Sequence, residues 1–133
     1  MKLIVISARF ADVEADQGLK PPAGHSGPTP AGLAFAKWLR DSLPTALEGI
    51  GVGEFPWVTY SGHGIELNYA GARFDLVVEL TDREAATWSV TLEPRKGFVP
   101  FRRKAKAAGF EALSERLRLY LSGVEAIDEV SET

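Results

Sequence analysis

A regular alternation of apolar and polar residues from residue 65 to residue 92 constrains the fold of this chain more than any other feature. The apolar positions fall at every second residue within three runs: Ile65, Leu67 and Tyr69; Phe74, Leu76, Val78 and Leu80; and Trp88, Val90 and Leu92. Successive side chains of a β-strand point to opposite faces of the sheet. The alternation therefore predicts an antiparallel sheet with one face on a core and the other face open to water or to another molecule.

Two further segments carry helical patterns. Thr29 and Pro30 combine a hydroxyl cap with a proline at the first helical position, so they predict the start of a first helix. We expect Pro44 to end or kink this helix, because a proline disfavours helical geometry in the residue before it. A second amphipathic helix is predicted over residues 110–122, and Gly123 provides its stop.

These elements predict one α+β domain over residues 1–133, in which two helices pack on one face of an antiparallel β-meander. The predicted order is β-α-β-β-β-α, and residues 124–130 form either a final edge strand or a short helix. Residues 11–28 are rich in glycine and proline and are expected to form a long loop. The residues expected to be buried are Phe35, Leu39, Leu43, Leu67, Leu76, Val78, Trp88, Val90, Leu113 and Leu117.

The composition narrows the functional classes. The 133 residues are 45% hydrophobic and 25% charged, as in an ordinary globular protein, and the net charge is −3. An acidic chain argues against a general binder of nucleic acids or anionic membranes, which usually carries a strong basic excess. Zero cysteines exclude disulfides, thiolate nucleophiles and cysteine zinc sites. No apolar run is long enough for a signal peptide or a membrane span, so we expect a cytoplasmic protein.

Motifs of catalysis and cofactor binding are absent from the sequence. It contains no G-x-S-x-G, no P-loop and no G-x-G-x-x-G, and we predict no cofactor and no metal. The two histidines are His25, in the loop of residues 11–28, and His63, in a predicted turn. If the protein is a small enzyme or binds a small ligand, these histidines and nearby carboxylates would form a site between that loop and the sheet.

The polar residues of the alternating region form the main candidate site. Glu66, Asp75, Glu79 and Glu93 make the predicted face acidic, and Arg73 is its balancing cation. Carboxylates opposite each other on neighbouring strands lie about 5 Å apart and repel, unless cations or a basic partner satisfy them. This predicts a docking face for a protein partner or, alternatively, a solvated face whose charge a basic segment balances. The residues assigned to partner binding are Glu66, Asn68, Arg73, Asp75, Glu79, Glu93 and Trp57.

Residues 95–109 are predicted to form an irregular basic connector. Six arginines and lysines fall within residues 95–106 without an acidic residue, and Phe98 and Phe101 lie among them. Basic residues interleaved with aromatics bind phosphates and stack on bases in nucleic-acid-binding proteins. Because these aromatics flank Pro100, we expect instead that they anchor the connector to the core. The connector would then balance the acidic face, and no oligonucleotide would bind at physiological salt.

From Trp38 onward, the arrangement resembles small bacterial α+β domains of the polymorphic-toxin immunity kind. The resemblance is carried by a Gly-Ile step at residues 49–50, a strand containing Phe-Pro-Trp at residues 55–57, and the closing helix. It implies a binding protein rather than an enzyme. We therefore expect a non-enzymatic module that holds a protein partner through the polar face, with an immunity-type inhibitor as its specific form. Self-pairing of the sheet is a further alternative, because the sequence does not determine the oligomeric state.

Overall fold

A computed structural model describes residues 1–11, 29–95 and 103–133, and of residues 103–108 it describes the backbone alone. Within these residues it contains two helices and a seven-stranded antiparallel sheet, which confirms the predicted α+β fold. The elements in chain order are β1 (Lys2–Ile6), α1 (Leu33–Ala46), β2 (Gly51–Val52), β3 (Trp57–Val58), β4 (Gly62–Tyr69), β5 (Ala72–Asp82), β6 (Thr87–Pro94), α2 (Arg103–Ser122) and β7 (Glu129–Glu132).

The sheet is built around the three alternating runs of the sequence, which form β4, β5 and β6. The strands lie in the order β2-β4-β5-β6-β1-β7, and β3 pairs with β4 beside β2. In this register Ile65 lies opposite Leu76, and Leu76 lies opposite Leu92. Residues opposite each other in an antiparallel pair point to the same side of the sheet. The apolar set therefore shares one face, and the polar set shares the other.

The core lies on the apolar face and includes residues from both helices. The rings of Phe35 in α1 and Trp88 form a T-shaped pair at 5.3 Å between centroids, and Phe110 of α2 stacks on Phe74 at 6.2 Å. Both helices thus contact the apolar side of the sheet, and their buried residues join one hydrophobic cluster with it. All ten residues predicted to be buried are buried in the structure, namely Phe35, Leu39, Leu43, Leu67, Leu76, Val78, Trp88, Val90, Leu113 and Leu117.

The predicted start of α1 at Thr29 and Pro30 is wrong, because the helix begins at Leu33. Gly32 precedes it with a φ of 119°, a left-handed conformation that favours glycine. The carbonyl oxygen of Pro30 lies 2.9 Å from Nε2 of His63 and is engaged in that contact. Pro44 lies inside α1 and does not end it, since the helix continues through this proline to Ala46.

The predicted element order has too few strands, because the described residues place five strands between the two helices. The additional pairing comes from β2 and β3, which contain two residues each and lie along the outer edge of β4. The strand predicted at residues 55–57 corresponds to β3, whereas β2 was not predicted, because a strand of two residues shows no measurable alternation. The ambiguous segment at residues 124–130 ends in an edge strand, β7, which pairs antiparallel with β1.

Helix α2 begins earlier than predicted, at Arg103 instead of residue 110. The end of the proposed basic connector is therefore helical, in keeping with the good helix propensities of the alanine, lysine and arginine residues at 103–108. Residues 96–102 and the loop at residues 12–28 lie outside the described residues, and so does the proposed anchoring role of Phe98 and Phe101.

Candidate functional site

The polar residues of the alternating region lie together on the face of the sheet opposite the core, here called the open face. The register places Glu66 of β4 opposite Asp75 of β5, and Asp75 opposite Glu93 of β6. Three carboxylates therefore form one row across three strands. The remaining members of the predicted set lie on the same face, namely Asn68, Arg73 and Glu79.

Arg95 bridges the first two carboxylates of this row. Its Nε donates a hydrogen bond to Oδ1 of Asp75 at 2.9 Å, and its Nη1 lies 3.2 Å from Oε2 of Glu66. The side chain of Arg95 is 36% exposed, so the guanidinium remains in contact with solvent. The repulsion expected between the neighbouring carboxylates of Glu66 and Asp75 is thus offset by a cation that follows β6.

Trp57 forms the base of this cluster. It lies opposite Gly64 in the β3–β4 pairing, so its indole belongs to the open face. The ring rests directly on Gly64, where an added β-carbon would collide with the indole. The guanidinium carbon of Arg95 lies 5.5 Å from the centroid of the same ring, a cation–π distance. Glycine at position 64 therefore allows the indole to lie flat between the strand and the arginine.

The other charged residues of the open face are less constrained. Arg73 approaches Glu66 at 3.7 Å, and its side chain is 70% exposed. No ion pair between described residues involves Glu79 or Glu93. Among the described residues, the four carboxylates of this face meet two guanidinium groups, so these residues carry a surplus of negative charge.

His63 does not belong to the open face. It lies within β4, is fully buried on the apolar face, and has Nε2 2.9 Å from the carbonyl oxygen of Pro30. Its predicted position in a turn is wrong, because the turn runs from Thr59 to Gly62, where Thr59 N donates to Gly62 O at 2.9 Å. His63 is separated from the carboxylates by the sheet itself. His25, the other histidine of the alternative site, lies outside the described residues.

Arg95 is a site residue that the sequence analysis does not identify, because the prediction places it in the basic connector of residues 95–109. A signal was present, since positions 89, 91, 93 and 95 continue the period of two that defines the polar face of β6. The strand itself ends at Pro94, so Arg95 lies one residue beyond β6. Gly64 carried a second signal, because it takes a polar-face position of β4 without providing a side chain.

Further features bound the chemistry of the described residues. They contain no group of three or more histidine, cysteine, aspartate or glutamate side chains arranged to hold a metal ion. None of the helices in the described part of the chain is both long and apolar enough to cross a membrane. No protein-family model, curated protein or solved structure matches this chain. The proposal below therefore depends on the geometry of the open face.

Proposed function

We propose that this protein is a non-enzymatic binding module that holds a protein partner against the open face of its sheet. The observation that supports the proposal is the cluster of Trp57, Glu66, Asp75 and Arg95, which is ordered on the side of the sheet away from the core. The face presents a half-buried aromatic ring and charged groups on paired strands. Binding of a partner through these groups requires no catalytic residue.

The composition of the cluster is typical of an interface centre. Tryptophan and arginine are the residues most enriched among those that dominate binding energy, because they bury a large surface and retain polar contacts. The indole of Trp57 is also held in place before any partner arrives, since it rests on Gly64. Such preorganisation lowers the entropic cost of association.

The partner is proposed to present a basic surface, and an immunity-type inhibitor is the specific form of the proposal. The surplus of carboxylates on the open face complements positive charge, which accelerates association and disfavours acidic competitors. The resemblance to immunity-type domains supports the same direction, because such domains act by binding.

Affinity capture followed by a direct binding measurement tests this proposal. The protein is immobilised, a lysate of its native host is passed over it, and each captured protein is purified and titrated against wild type and variants. We expect Trp57→Ala to weaken the specific partner at least about tenfold, as for a residue at the centre of an interface. The proposal fails if binding is insensitive to Trp57→Ala and Glu66→Gln.

A matched control comes from the opposite side of the molecule. Leu119 of α2 is a large apolar residue that is 57% exposed, and it belongs to a helix on the core side of the sheet. We expect Leu119→Ser to change the affinity less than about twofold, because scattered exposed apolar residues are ordinary surface features. A loss caused by Leu119→Ser and not by Trp57→Ala would place the interface on α2 and contradict the proposal.

A further inference from the structure

The guanidinium of Arg95 is enclosed by three groups of different chemistry. The indole of Trp57 lies under it at 5.5 Å, the carboxylate of Asp75 accepts from Nε at 2.9 Å, and the carboxylate of Glu66 lies 3.2 Å from Nη1. A flat aromatic surface with carboxylates at the edge of the ligand is the arrangement that recognises a planar cation with several donors. The cluster therefore has the structure of a guanidinium-binding site.

The walls of this site belong to the sheet, whereas its occupant does not. Trp57 is positioned by the β3–β4 pairing, and Glu66 lies opposite Asp75 in the β4–β5 pairing. Arg95 follows the last residue of β6, and its backbone N–H donates to the carbonyl of Arg73 at 2.9 Å. Rotation of the Arg95 side chain would therefore vacate the site while the main chain stays attached to β5.

We infer that the open face contains a guanidinium-binding site, that Arg95 occupies it in the unbound protein, and that an arginine of the protein partner replaces Arg95 in the complex. The inference deepens the proposed function and rests on it for the identity of the incoming arginine as a partner residue. The site itself stands on the geometry of the isolated chain.

The exchange is energetically accessible because the ion pairs of Arg95 with Glu66 and Asp75 are partly exposed to solvent. Ion pairs between partly exposed groups, here about one-third exposed, contribute modest net stability, since the charges lose hydration when they meet and side-chain entropy is lost. An incoming arginine would form the same contacts that Arg95 gives up, so the other contacts of the interface decide the outcome. Lysine would not be equivalent, because a point charge does not stack on the indole and bind two carboxylates through separate donors.

A variant with the site vacated provides the test. Arg95→Ser removes the occupant, and N-acetyl-arginine amide is then titrated while the indole N–H resonance of Trp57 is followed by NMR. We expect saturable binding with a dissociation constant of about 1–10 mM, as for one cation–π contact and two half-exposed ion pairs. Wild type should bind about tenfold more weakly, because its own arginine competes as a tethered ligand at high effective concentration.

Two chemical controls separate guanidinium recognition from attraction of any cation. N-acetyl-lysine amide has the same charge without the planar fork, and N-acetyl-citrulline amide has nearly the same shape without the charge. We expect each to bind the Arg95→Ser variant at least about fivefold more weakly than the arginine compound. Equal binding of the arginine and lysine compounds would overturn the inference.

Matched protein variants locate the binding within the open face. Added to Arg95→Ser, Glu66→Gln should weaken the arginine compound several-fold, whereas Glu111→Gln should leave it unchanged because Glu111 is an exposed residue of α2, on the core side of the sheet. Trp57→Leu in the same background should abolish the binding. If Trp57→Leu retains it, the inference is wrong. Should Arg95→Ser not unfold cooperatively, the test is made in wild type, where the arginine compound must shift the Nε–H resonance of Arg95.

The outcomes for the site and for the proposed function are distinguishable. If the arginine compound fails to bind while Trp57→Ala still weakens a captured partner, the open face is an interface and the guanidinium site is refuted. If the arginine compound binds as expected but no open-face variant changes the affinity of captured partners, the guanidinium site is supported and the proposed function fails. With a purified partner, replacement of its interface arginines by lysine should weaken the complex at least about tenfold, and no effect of any such replacement would overturn the exchange.

Discussion

The two faces of β4 carry alternate residues of one strand and depend on different physical effects. On the apolar face, His63, Ile65 and Leu67 are buried against the core. On the open face, Gly62 and Gly64 have no side chain, and Glu66 carries a charged one. The apolar face is stabilised by the amount of surface it removes from water. The binding properties of the open face depend on the positions of individual side chains.

This difference predicts that the two faces respond to substitution in opposite ways. A change on the apolar face alters the free energy of unfolding, because close-packed side chains cannot adjust to a lost volume. A change on the open face alters the geometry of the Trp57 and Arg95 cluster with a small effect on stability. Substitutions at neighbouring residues of one strand test this difference, since the two residues belong to the same strand but their side chains point to opposite faces of the sheet.

The largest effect is expected for truncation of a core leucine. Leu76→Ala on β5 should lower the free energy of unfolding by about 2–5 kcal/mol, because it removes a buried side chain and leaves a cavity. Val77→Ala, at the next residue and on the half-buried open face, should cost about 1 kcal/mol or less. Urea unfolding followed by circular dichroism measures both. Equal losses would show that the open face is as tightly packed as the core.

The second comparison is between two glycines of the open face. A β-carbon on Gly62 would collide with the backbone carbonyl of Val78, which the sheet holds in place, so Gly62→Ala should cost about 3 kcal/mol. A β-carbon on Gly64 would collide with the indole of Trp57, which can move outward. Gly64→Ala should therefore cost only about 1 kcal/mol.

The readout that distinguishes the Gly64 variant is the indole itself. Displacement of Trp57 from the strand should separate it from Arg95, change its indole N–H chemical shift and lower the affinity for a captured partner. Gly64→Ser should have the same effects. A Gly64→Ala variant with an unchanged indole resonance would contradict the stacked arrangement.

The third prediction concerns the buried histidine. His63→Ala should lower the free energy of unfolding by about 2 kcal/mol, because it removes a buried ring and its contact with the Pro30 carbonyl. Partner affinity should stay within about twofold of wild type, since the sheet separates His63 from the open face. A variant that folds stably and loses partner binding would link the two faces and revive a functional role for His63.

The smallest effects are expected for the carboxylates. Glu66→Gln should cost about 0.5–1 kcal/mol at low salt, because it weakens half-exposed ion pairs with Arg73 and Arg95. Glu93→Gln should change stability by less than about 0.3 kcal/mol, since no described ion pair involves it. Thermal unfolding should be measured at low salt and at 1 M NaCl. The stabilities of the two variants should differ less at 1 M NaCl, because salt screens exposed charges. A salt-independent loss for Glu66→Gln would point to packing instead of charge.

The sequence by itself determined the two faces of the sheet and the residues of the core. Period-two alternation is a local property of an extended backbone, so Leu76 and Val78 were assigned to the core and Asp75 to the other side without knowledge of strand pairing. The same reasoning failed where local signals were short or conflicting. Thr29 and Pro30 carry a good helix start, yet the contact of Pro30 with His63 and the left-handed Gly32 delay the helix to Leu33.

Only the tertiary structure decided what the open face contains. The four residues of the cluster come from separate places in the chain, namely Trp57, Glu66, Asp75 and Arg95. They meet because β3 and β5 pair with β4, and β6 pairs with β5, each in one particular register. The sequence indicates a strand near Trp57 but not its pairing with β4, and the role of Gly64 depends on a ring that this pairing places over it. Alternation assigns a side of the sheet, whereas the neighbours on that side depend on long-range pairing, which is why the arginine cluster could not be predicted from the sequence.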